Sequence, residues 1–123
     1  HHPHLIEPAN MIIMSQGAYA KYVPNLAPSG TLLIDEGLVA LPEDHRQDIT
    51  TFGLPASRIA EELGNNRVAN TVMLGFWTAI VGVVSREAMA QSVTESVPPK
   101  TVEVNLKAFD VGYERGLQVA KRE

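Results

Sequence analysis

The stretch GNNRVANTVMLGFWTAIVG, residues 64–82, constrains the fold more than any other part of the chain. It begins with a glycine and two asparagines and then stays apolar for several helical turns, with two further glycines near its middle and at its end. Such a run is a membrane anchor, the helix behind a phosphate-binding loop, or the central helix of a packed domain. The rest of the sequence helps to decide among these.

The polar residues of this run argue against a membrane anchor. Its apolar part is close to the lower limit of about 17 residues for crossing a bilayer, and it contains Asn70, Thr71 and Thr78. No cluster of basic residues and no aromatic belt flanks it. A helix that is apolar nearly all round is covered on most sides by protein. We therefore predict that residues 66–84 form one helix buried in the domain.

Small residues recur along the predicted helix. Gly75, Ala79 and Gly82 follow one another at spacings that place them on one face. Each glycine costs about 1 kcal/mol of helix propensity relative to alanine, so some contact should offset that cost. We expect this face to lie close to the sheet or to a neighbouring helix. The alternative is a flat face for a ligand or a partner subunit.

Three apolar segments predict a buried sheet, namely residues 10–14, 31–35 and 49–55. Apolar strands that are interspersed with helices form mainly parallel sheets with helices on their faces. We therefore predict a single α/β domain over residues 1–123, a layered and mainly parallel sheet flanked by helices with an all-helical C-terminal half. Three strands are few for such a layer, so we expect that the start is missing or that the sheet is completed elsewhere.

Residue types at the segment ends predict where the helices begin and end. Ser15 is expected to cap a helix on which Tyr19, Tyr22 and Val23 share one face. Gly64 stands where a helix C-terminus commonly places glycine. The other predicted boundaries are a cap at Asn66 for the long helix, a cap at Ser85 for the next one, and a final helix from about Thr101.

Composition excludes several classes of function. The net charge is -4 and no basic run occurs, which argues against a nucleic-acid partner because phosphate neutralisation needs clustered Lys and Arg. The chain has no cysteine. This excludes disulfides, thiolate metal sites and iron–sulfur ligation by this chain, and it fits a reducing cytoplasm. The first residues, HHPHLIEP, contain no apolar signal-peptide region.

The residues GNNR, 64–67, are the strongest candidate for a binding site. Backbone N–H groups and the helix dipole favour an anion at a helix start, and Arg67 could add a phosphate or carboxylate contact. Neither G-x-G-x-x-G nor G-x-x-x-x-G-K-[ST] occurs in the chain. The simpler interpretation is one helix that ends at Gly64 and another that begins at Asn66, with Arg67 in solvent.

No catalytic or metal-binding set stands out elsewhere. His45 lies in a polar loop and is expected at the surface, and HHPH, residues 1–4, is a metal-binding tract or, more simply, a tag remnant or frayed terminus. The acidic pair at residues 35–36 follows a strand but lacks a partner. Asp110 and Glu114 lie one turn apart, and we expect them to pair with Lys107 and Arg115 on a solvated face.

Three quoted segments together resemble a known family. They are MIIMSQGAYAKYVPNLAPSGTLLID, PASRIAEELGNNRVANTVMLGFWTAIVGVVSREAMAQSV and NLKAFDVGYERG. In order and spacing they are similar to the gamma subunits of 2-oxoacid:ferredoxin oxidoreductases. Gly75 matches an M-x-x-[LI]-G element, and Asn105, Ala108, Phe109 and Gly112 match an N-x-x-A-F-x-x-G helix. The MSQ start is more similar to the 2-oxoglutarate and branched-chain members than to the pyruvate members.

The resemblance implies a non-catalytic subunit of a cytoplasmic complex that contains alpha, beta and delta subunits. Such complexes oxidatively decarboxylate a 2-oxoacid to an acyl-CoA and pass electrons to ferredoxin. Thiamine diphosphate, magnesium and the iron–sulfur clusters are expected on other subunits, and gamma is expected to assist assembly and to border the CoA channel. The residues of this chain that would face CoA or a subunit interface are Gly64, Asn65, Asn66, Arg67 and Asn70.

One departure from the family pattern leaves other functions open. Gamma subunits begin with a glycine-rich G-x-G-G-Q-G segment that this chain lacks, so we expect the chain to be the C-terminal portion of a pyruvate/ketoisovalerate oxidoreductase gamma-type domain. Two alternatives are a free-standing small α/β module that binds a nucleotide or anion, and a purely structural interaction domain. The sequence does not identify the 2-oxoacid.

Overall fold

The computed structural model describes residues 7–121, which fall into two compact units. The first unit ends at Gly53 and the second begins at Leu54. The first contains the sheet, and the second is almost entirely helical. The predicted α/β class, with an all-helical C-terminal half, is confirmed. The tract HHPH lies outside the described residues.

A parallel three-stranded sheet organises the first unit. Its strands lie in the order β1–β2–β3, and β1 pairs with β2 in a register that sets Ile12 beside Leu33. A helix connects these two strands, as a parallel pair requires, and Ser15 caps it by accepting a hydrogen bond from the Ala18 N–H at 3.1 Å. The elements are β1 (Asn10–Ile13), α1 (Gln16–Tyr22), a 3-10 turn (Val23–Asn25), β2 (Thr31–Asp35) and β3 (Thr50–Leu54).

The core of the first unit joins one side of α1 to the sheet. Its buried members are Ile13, Tyr19, Val23, Leu26, Leu32, Ile34 and Val39. The prediction that Tyr22 shares this face was wrong, because 45% of its surface is exposed. The buried positions are Tyr19 and Val23, four residues apart, and Tyr22 lies beside them on the exposed flank of the helix. Its ring instead lies 5.2 Å from the Lys21 ammonium.

Arg46 fastens the long loop between β2 and β3. Its guanidinium donates to both carboxylate oxygens of Asp48, at 2.8 and 2.6 Å. It also donates to the carbonyl oxygens of Val23 and Leu26, at 2.9 and 2.7 Å. One side chain thus joins the loop to the end of α1. Hydrogen bonding from the Arg46 guanidinium to the Asp48 carboxylate lowers the pKa of Asp48 below its ordinary value.

The lowered pKa of Asp48 predicts a pH-dependent contribution to stability. This contribution is fully present above the unfolded-state pKa of about 3.9 and is lost as the pH falls through the folded-state pKa. We expect Asp48→Asn to lower the free energy of unfolding at pH 7, with a difference from the parent chain that shrinks toward pH 3. Urea denaturation across this range measures it. An equal difference at every pH would contradict the prediction.

Four α-helices and two 3-10 turns make up the described part of the second unit. Ser85 caps α4 by accepting a hydrogen bond from the Ala88 N–H at 3.1 Å, as predicted. The elements are α2 (Ala56–Glu62), a 3-10 turn (Asn66–Val68), α3 (Ala69–Val81), α4 (Arg86–Ser96), a 3-10 turn (Pro99–Thr101) and α5 (Val102–Ala120). Between residues 7 and 121, no helix has both the length and the apolar character needed to cross a membrane.

Residues 66–84 do not form a single helix, which corrects the prediction. A 3-10 turn precedes α3, and α3 ends at Gly82, whose left-handed φ of 72° forms the C-cap. An αL residue at this position stops a helix, so Gly82 does not belong to the packing face predicted for it. The cap at the other end is also one residue earlier than predicted. The Asn65 side chain, rather than that of Asn66, accepts the first hydrogen bond of the turn.

Glycines bring α3 and α5 into backbone contact. A Cβ at Gly75 would overlap the Phe109 carbonyl oxygen and lie 2.9 Å from the Tyr113 nitrogen. A Cβ at Gly112 would overlap the Val72 carbonyl oxygen in the same way. The expected close approach at Gly75 is therefore present, and the neighbour is a helix. The buried side chains of the second unit pack around these two closely spaced helices.

Candidate functional site

The segment from Gly64 to Asn70, here called the elbow, connects α2 to α3. Gly64 has a φ of 89° and follows the last turn of α2, as predicted. The Asn65 Oδ1 then accepts a hydrogen bond from the Arg67 backbone N–H at 2.9 Å. The chain makes one 3-10 turn and enters α3, which places Asn70 in the first turn of that helix. Asparagine suits position 65 because its short side chain caps the 3-10 turn.

A cavity of about 320 Å³ lies beside the elbow. We call it the elbow cavity, and all of its lining residues belong to the second unit. The lining residues are Asn65, Arg67, Val68, Asn70, Thr71, Val97, Pro98, Thr101 and Asn105. The cavity thus brings together Asn65, Arg67 and Asn70 from the predicted set. Gly64 and Asn66 are outside the lining.

A chain of hydrogen bonds forms the far wall of the cavity. The Thr71 hydroxyl donates to the Asn105 Oδ1 at 2.6 Å, and the Asn105 Nδ2 donates to the Thr101 carbonyl at 3.0 Å. The Thr101 hydroxyl donates to the Pro98 carbonyl at 2.8 Å. This chain connects α3, α5 and the turn before α5. These hydrogen bonds, together with packing, hold the wall of the cavity in place.

Sequence reasoning missed the wall residues of this cavity. Asn105 was noted only as part of a family motif, and Thr71 and Thr101 were given no role in a site. One signal was available, because Asn105 shares its helix face with Ala108, Phe109 and Gly112 at spacings of three, four and seven. A polar side chain on an apolar helix face is buried with partners or lines a cavity. Asn105 is 6% exposed and does both.

The electrostatics of the elbow cavity are those of a weakly charged polar site. Arg67 is exposed at its edge, and among the lining residues, all within 7–121, it is the only one with a charge. The Arg67 backbone N–H already donates to the Asn65 Oδ1. The helix start therefore has one fewer unpaired N–H group for an anion than the sequence suggested. The remaining polar groups are carboxamides and hydroxyls. They can orient a ligand through hydrogen bonds, and they supply no pair of groups for acid–base catalysis.

The loop and strand-end candidates lie elsewhere and have local partners. His45 is half-buried, and its Nδ1 lies 2.8 Å from the Pro42 carbonyl oxygen. Asp35 is fully buried, and its Oδ1 accepts a hydrogen bond from the Gly37 N–H at 3.0 Å, whereas Glu36 is exposed. Burial raises the pKa of Tyr19, which lines a hollow with His45. Within residues 7–121, no three His, Asp or Glu side chains come together as a metal site would require.

The predicted partners of the acidic pair on α5 were wrong. Asp110 and Glu114 both pair with Arg86, at 3.4 and 3.3 Å, rather than with Lys107 and Arg115. Arg86 starts α4, and its guanidinium lies 4.4 Å from the Tyr113 ring centroid. This ring holds the arginine over α5, between the two carboxylates. Lys107 pairs instead with Glu103, one turn earlier on the same helix, at 4.0 Å.

Comparison with known proteins places the chain in a family. The pyruvate ferredoxin/flavodoxin oxidoreductase family matches residues 2–115. The 2-oxoglutarate synthase subunit KorC of Methanocaldococcus jannaschii is 42% identical over 113 residues, which covers 91% of this chain and 60% of that protein. The subunit of the same name from Methanothermobacter marburgensis is 39% identical, with 92% of this chain and 63% of that protein covered.

Solved structures share the fold. The gamma subunit of a keto/oxoacid ferredoxin oxidoreductase from Geobacter sulfurreducens has a TM-score of 0.83 at 37% identity, over 89% of this chain and 64% of that one. A 2-oxoglutarate:ferredoxin oxidoreductase from Magnetococcus marinus, solved with 2-oxoglutarate, coenzyme A and succinyl-CoA bound, has a TM-score of 0.72 at 20% identity. The match covers 94% of this chain and 20% of that one, and it shows likeness of fold only.

The family match and the relatives point to the same family as the sequence motifs. The chain spans about 60% of the length of the curated relatives named above. The resemblance drawn from the segments around Gly75 and Asn105 is confirmed. The chain belongs to the pyruvate ferredoxin/flavodoxin oxidoreductase family.

Proposed function

We propose that this chain is part of the gamma-type subunit of a 2-oxoacid:ferredoxin oxidoreductase complex. The observation that carries the proposal is the 42% identity to a 2-oxoglutarate synthase subunit over 91% of the chain. The complex oxidatively decarboxylates a 2-oxoacid, transfers the acyl group to CoA and passes the electrons to ferredoxin. A cysteine-free chain in such a complex fits the reducing cytoplasm.

The chemical step belongs to other subunits in this proposal. Thiamine diphosphate with magnesium and the iron–sulfur clusters would lie on the alpha, beta and delta subunits. The lack of cysteine means that this chain offers no thiolate to a cluster. A cofactor carries the difficult chemistry, and this polypeptide supplies assembly and orientation.

We propose a 2-oxoglutarate-type substrate for the complex. Three curated relatives between 36% and 42% identical are 2-oxoglutarate synthase subunits. A pyruvate synthase subunit is 32% identical, and a ketoisovalerate oxidoreductase subunit is 26% identical. An indolepyruvate oxidoreductase subunit is 43% identical, but over 46% of this chain, whereas the 2-oxoglutarate synthase subunits match 91–92% of it. Identity over most of the chain thus favours the first class.

Reconstitution tests the proposed function. We expect the alpha, beta and delta subunits to copurify with the subunit that contains this chain, and the purified complex to reduce ferredoxin with 2-oxoglutarate and CoA. We expect the chain alone to be inactive with thiamine diphosphate and CoA added. Failure to copurify would favour a free-standing anion-binding module or an unrelated interaction domain. Turnover by the chain alone would show that it has a catalytic site of its own.

Within the complex, we propose that the elbow borders the CoA site. Arg67 is exposed at the edge of a polar cavity, where a guanidinium can pair with a phosphate. Asn65 and Asn70 line the same cavity. Gly64 and Asn66 would contribute by shaping the turn rather than by contact.

Replacing Arg67 by alanine in the assembled complex should raise the apparent KM for CoA. The loss of one charge-assisted contact is worth about 1–2 kcal/mol, or roughly a five- to thirty-fold rise in KM. The KM for the 2-oxoacid should change little, because that substrate meets the thiamine-bearing subunits. Steady-state kinetics with each substrate varied measures both. Unchanged CoA kinetics in a stable complex would remove Arg67 from the site.

A further inference from the structure

A small hollow in the first unit lies between α1 and the loop that follows β2. Tyr19 and Ala20 of α1, Pro24 of the 3-10 turn, and Pro42 and Asp44 of the loop are among its lining residues. Its volume is about 270 Å³, below the range of about 300–1,000 Å³ for small-molecule sites. We call it the α1 hollow. Its size suits one inserted side chain better than a cofactor.

Hydrogen bonds fix the loop wall of the α1 hollow against α1. The Gln16 Nε2 donates to the Ala40 carbonyl oxygen at 3.0 Å, and the Gln16 Oε1 accepts a hydrogen bond from the Ala40 N–H at 2.8 Å. Further along the loop, Arg46 donates to the carbonyl oxygens of Val23 and Leu26. Walls that are already in place lower the conformational entropy lost when a partner docks. The α1 hollow is therefore formed before it is filled.

The α1 hollow carries one uncompensated charge. Arg46 lines it, but its charge is compensated by Asp48 at 2.6 Å, and His45 hydrogen-bonds within its own loop. Asp44 is exposed, and within residues 7–121 it has no cationic partner. Burial, and after it the charge of Asp44, raises the pKa of Tyr19, so this carboxylate acts on the aromatic side of the hollow. The hollow thus combines apolar walls with one free carboxylate.

An aliphatic stem that ends in a cation matches this combination. Lysine and arginine side chains bury their methylene groups against apolar surface and keep the charged group at a polar edge. A guanidinium has five N–H donors to satisfy and an ammonium has three. The Val23 and Leu26 carbonyl oxygens already accept from Arg46, which leaves the Asp44 carboxylate as the main acceptor. Lysine is therefore the better match.

The surroundings of the hollow favour a protein partner over a small free amine. Leu41 lies between the two points at which the loop is fixed, and Leu38 lies just before them; 39% and 52% of their surfaces are exposed. A protein that inserts a side chain beside them would also cover this apolar surface, as the cores of interfaces do. A free amine would leave it in water.

We propose that the α1 hollow receives a lysine side chain from a neighbouring subunit of the oxidoreductase complex. The ammonium pairs with Asp44, and the methylene stem lies against Tyr19 and the two prolines. The surface around the lysine covers Leu41. This inference rests on the proposed function, in which other subunits assemble with this chain, and it specifies where one of them docks.

Carbodiimide cross-linking of the assembled complex tests the contact directly. This reagent joins a carboxylate to an amine only where the two groups touch. We expect mass spectrometry to find an amide between the Asp44 carboxylate and a lysine Nζ of another subunit. The cross-link should be absent in Asp44→Asn and retained in Glu43→Gln. Glu43 is the matched control, because it is the adjacent exposed carboxylate and does not line the hollow.

Filling the hollow tests the same contact without changing a charge. Ala20→Trp adds an indole at an exposed, lining position of α1. We expect exchange of this subunit out of the complex, followed against a fluorescently labelled parent subunit, to become roughly ten-fold faster. Gly17→Trp adds the same bulk to the same helix outside the lining, where a Cβ meets no atom within 4 Å. Its exchange rate should stay within about twofold of the parent value.

Three results would overturn the inference, and they separate it from the proposed function. If an active complex gives no cross-link at Asp44 and Ala20→Trp exchanges at the parent rate, no lysine occupies the hollow, while the subunit role stands. A cross-link from Asp44 to a second copy of this subunit would make the hollow a self-association contact. If no other subunit copurifies with this one, the proposed function fails and this inference fails with it.

Discussion

Replacing Gly75 by leucine should destabilise the chain by about 3 kcal/mol, the upper part of the usual range for overpacking. Even the first side-chain carbon would overlap the Phe109 carbonyl oxygen and lie 2.9 Å from the Tyr113 nitrogen. These are backbone atoms of α5, so a rotamer change cannot make room. The two helices must move apart, and the buried contacts of Val72, Phe76 and Phe109 loosen with them. Chemical denaturation of the purified chain measures the loss.

Gly112→Ala tests the same contact from the opposite helix. Its added methyl group would overlap the Val72 carbonyl oxygen and lie 3.0 Å from the Phe76 nitrogen. We expect destabilisation of about 1–3 kcal/mol despite the higher helix propensity of alanine, which alone would stabilise by about 1 kcal/mol. Both variants should therefore unfold at lower denaturant concentration than the parent chain.

Gly17→Ala is the control for these two variants. Gly17 lies in the exposed first turn of α1, and a Cβ there would meet no atom within 4 Å. The same substitution should therefore be neutral or stabilise by up to about 1 kcal/mol. If Gly75→Leu and Gly112→Ala behaved like Gly17→Ala, the close approach of α3 and α5 would be wrong.

The fold was predictable where local chemistry and burial agree. β2 occupies residues 31–35 as predicted, because an apolar run between breakers satisfies both strand propensity and burial. The caps at Ser15 and Ser85 followed from hydroxyl groups placed before helical segments. Gly82 was misplaced because spacing along a helix cannot show whether a glycine lies inside it or ends it. A glycine on a packing face and a glycine that ends a helix can both follow a run of apolar residues.

The candidate site was predictable in part. Asn65, Arg67 and Asn70, which line the elbow cavity, could be singled out because a glycine and asparagines at a helix junction are locally unusual. Thr71 and Asn105 form their hydrogen bond across 34 positions of sequence. No local pattern indicates such a partner, since the glycines of α3 and α5 bring the two helices together only in the folded chain. The same long-range packing explains why Arg86, rather than a neighbour on α5, pairs with Asp110 and Glu114.

The hydrogen bond between Thr71 and Asn105 should be worth about 1 kcal/mol, which a double-mutant cycle can isolate. Asn105→Leu keeps a side chain of similar size but leaves the half-buried Thr71 hydroxyl without its acceptor. We expect this variant to lose about 1–3 kcal/mol of unfolding free energy. Thr71→Val should lose less, about 0.5–1.5 kcal/mol, because a part of the Asn105 bonding to Thr101 survives.

The double variant decides whether the wall of the elbow cavity acts as a unit. With both polar partners replaced by apolar groups, no hydroxyl is left unsatisfied, so the combined loss should be about 1 kcal/mol smaller than the sum of the single losses. Strictly additive losses would mean that the two side chains do not bond, and that Thr71 does not orient the Asn105 carboxamide. Equilibrium unfolding of the four proteins under one condition gives the coupling energy directly.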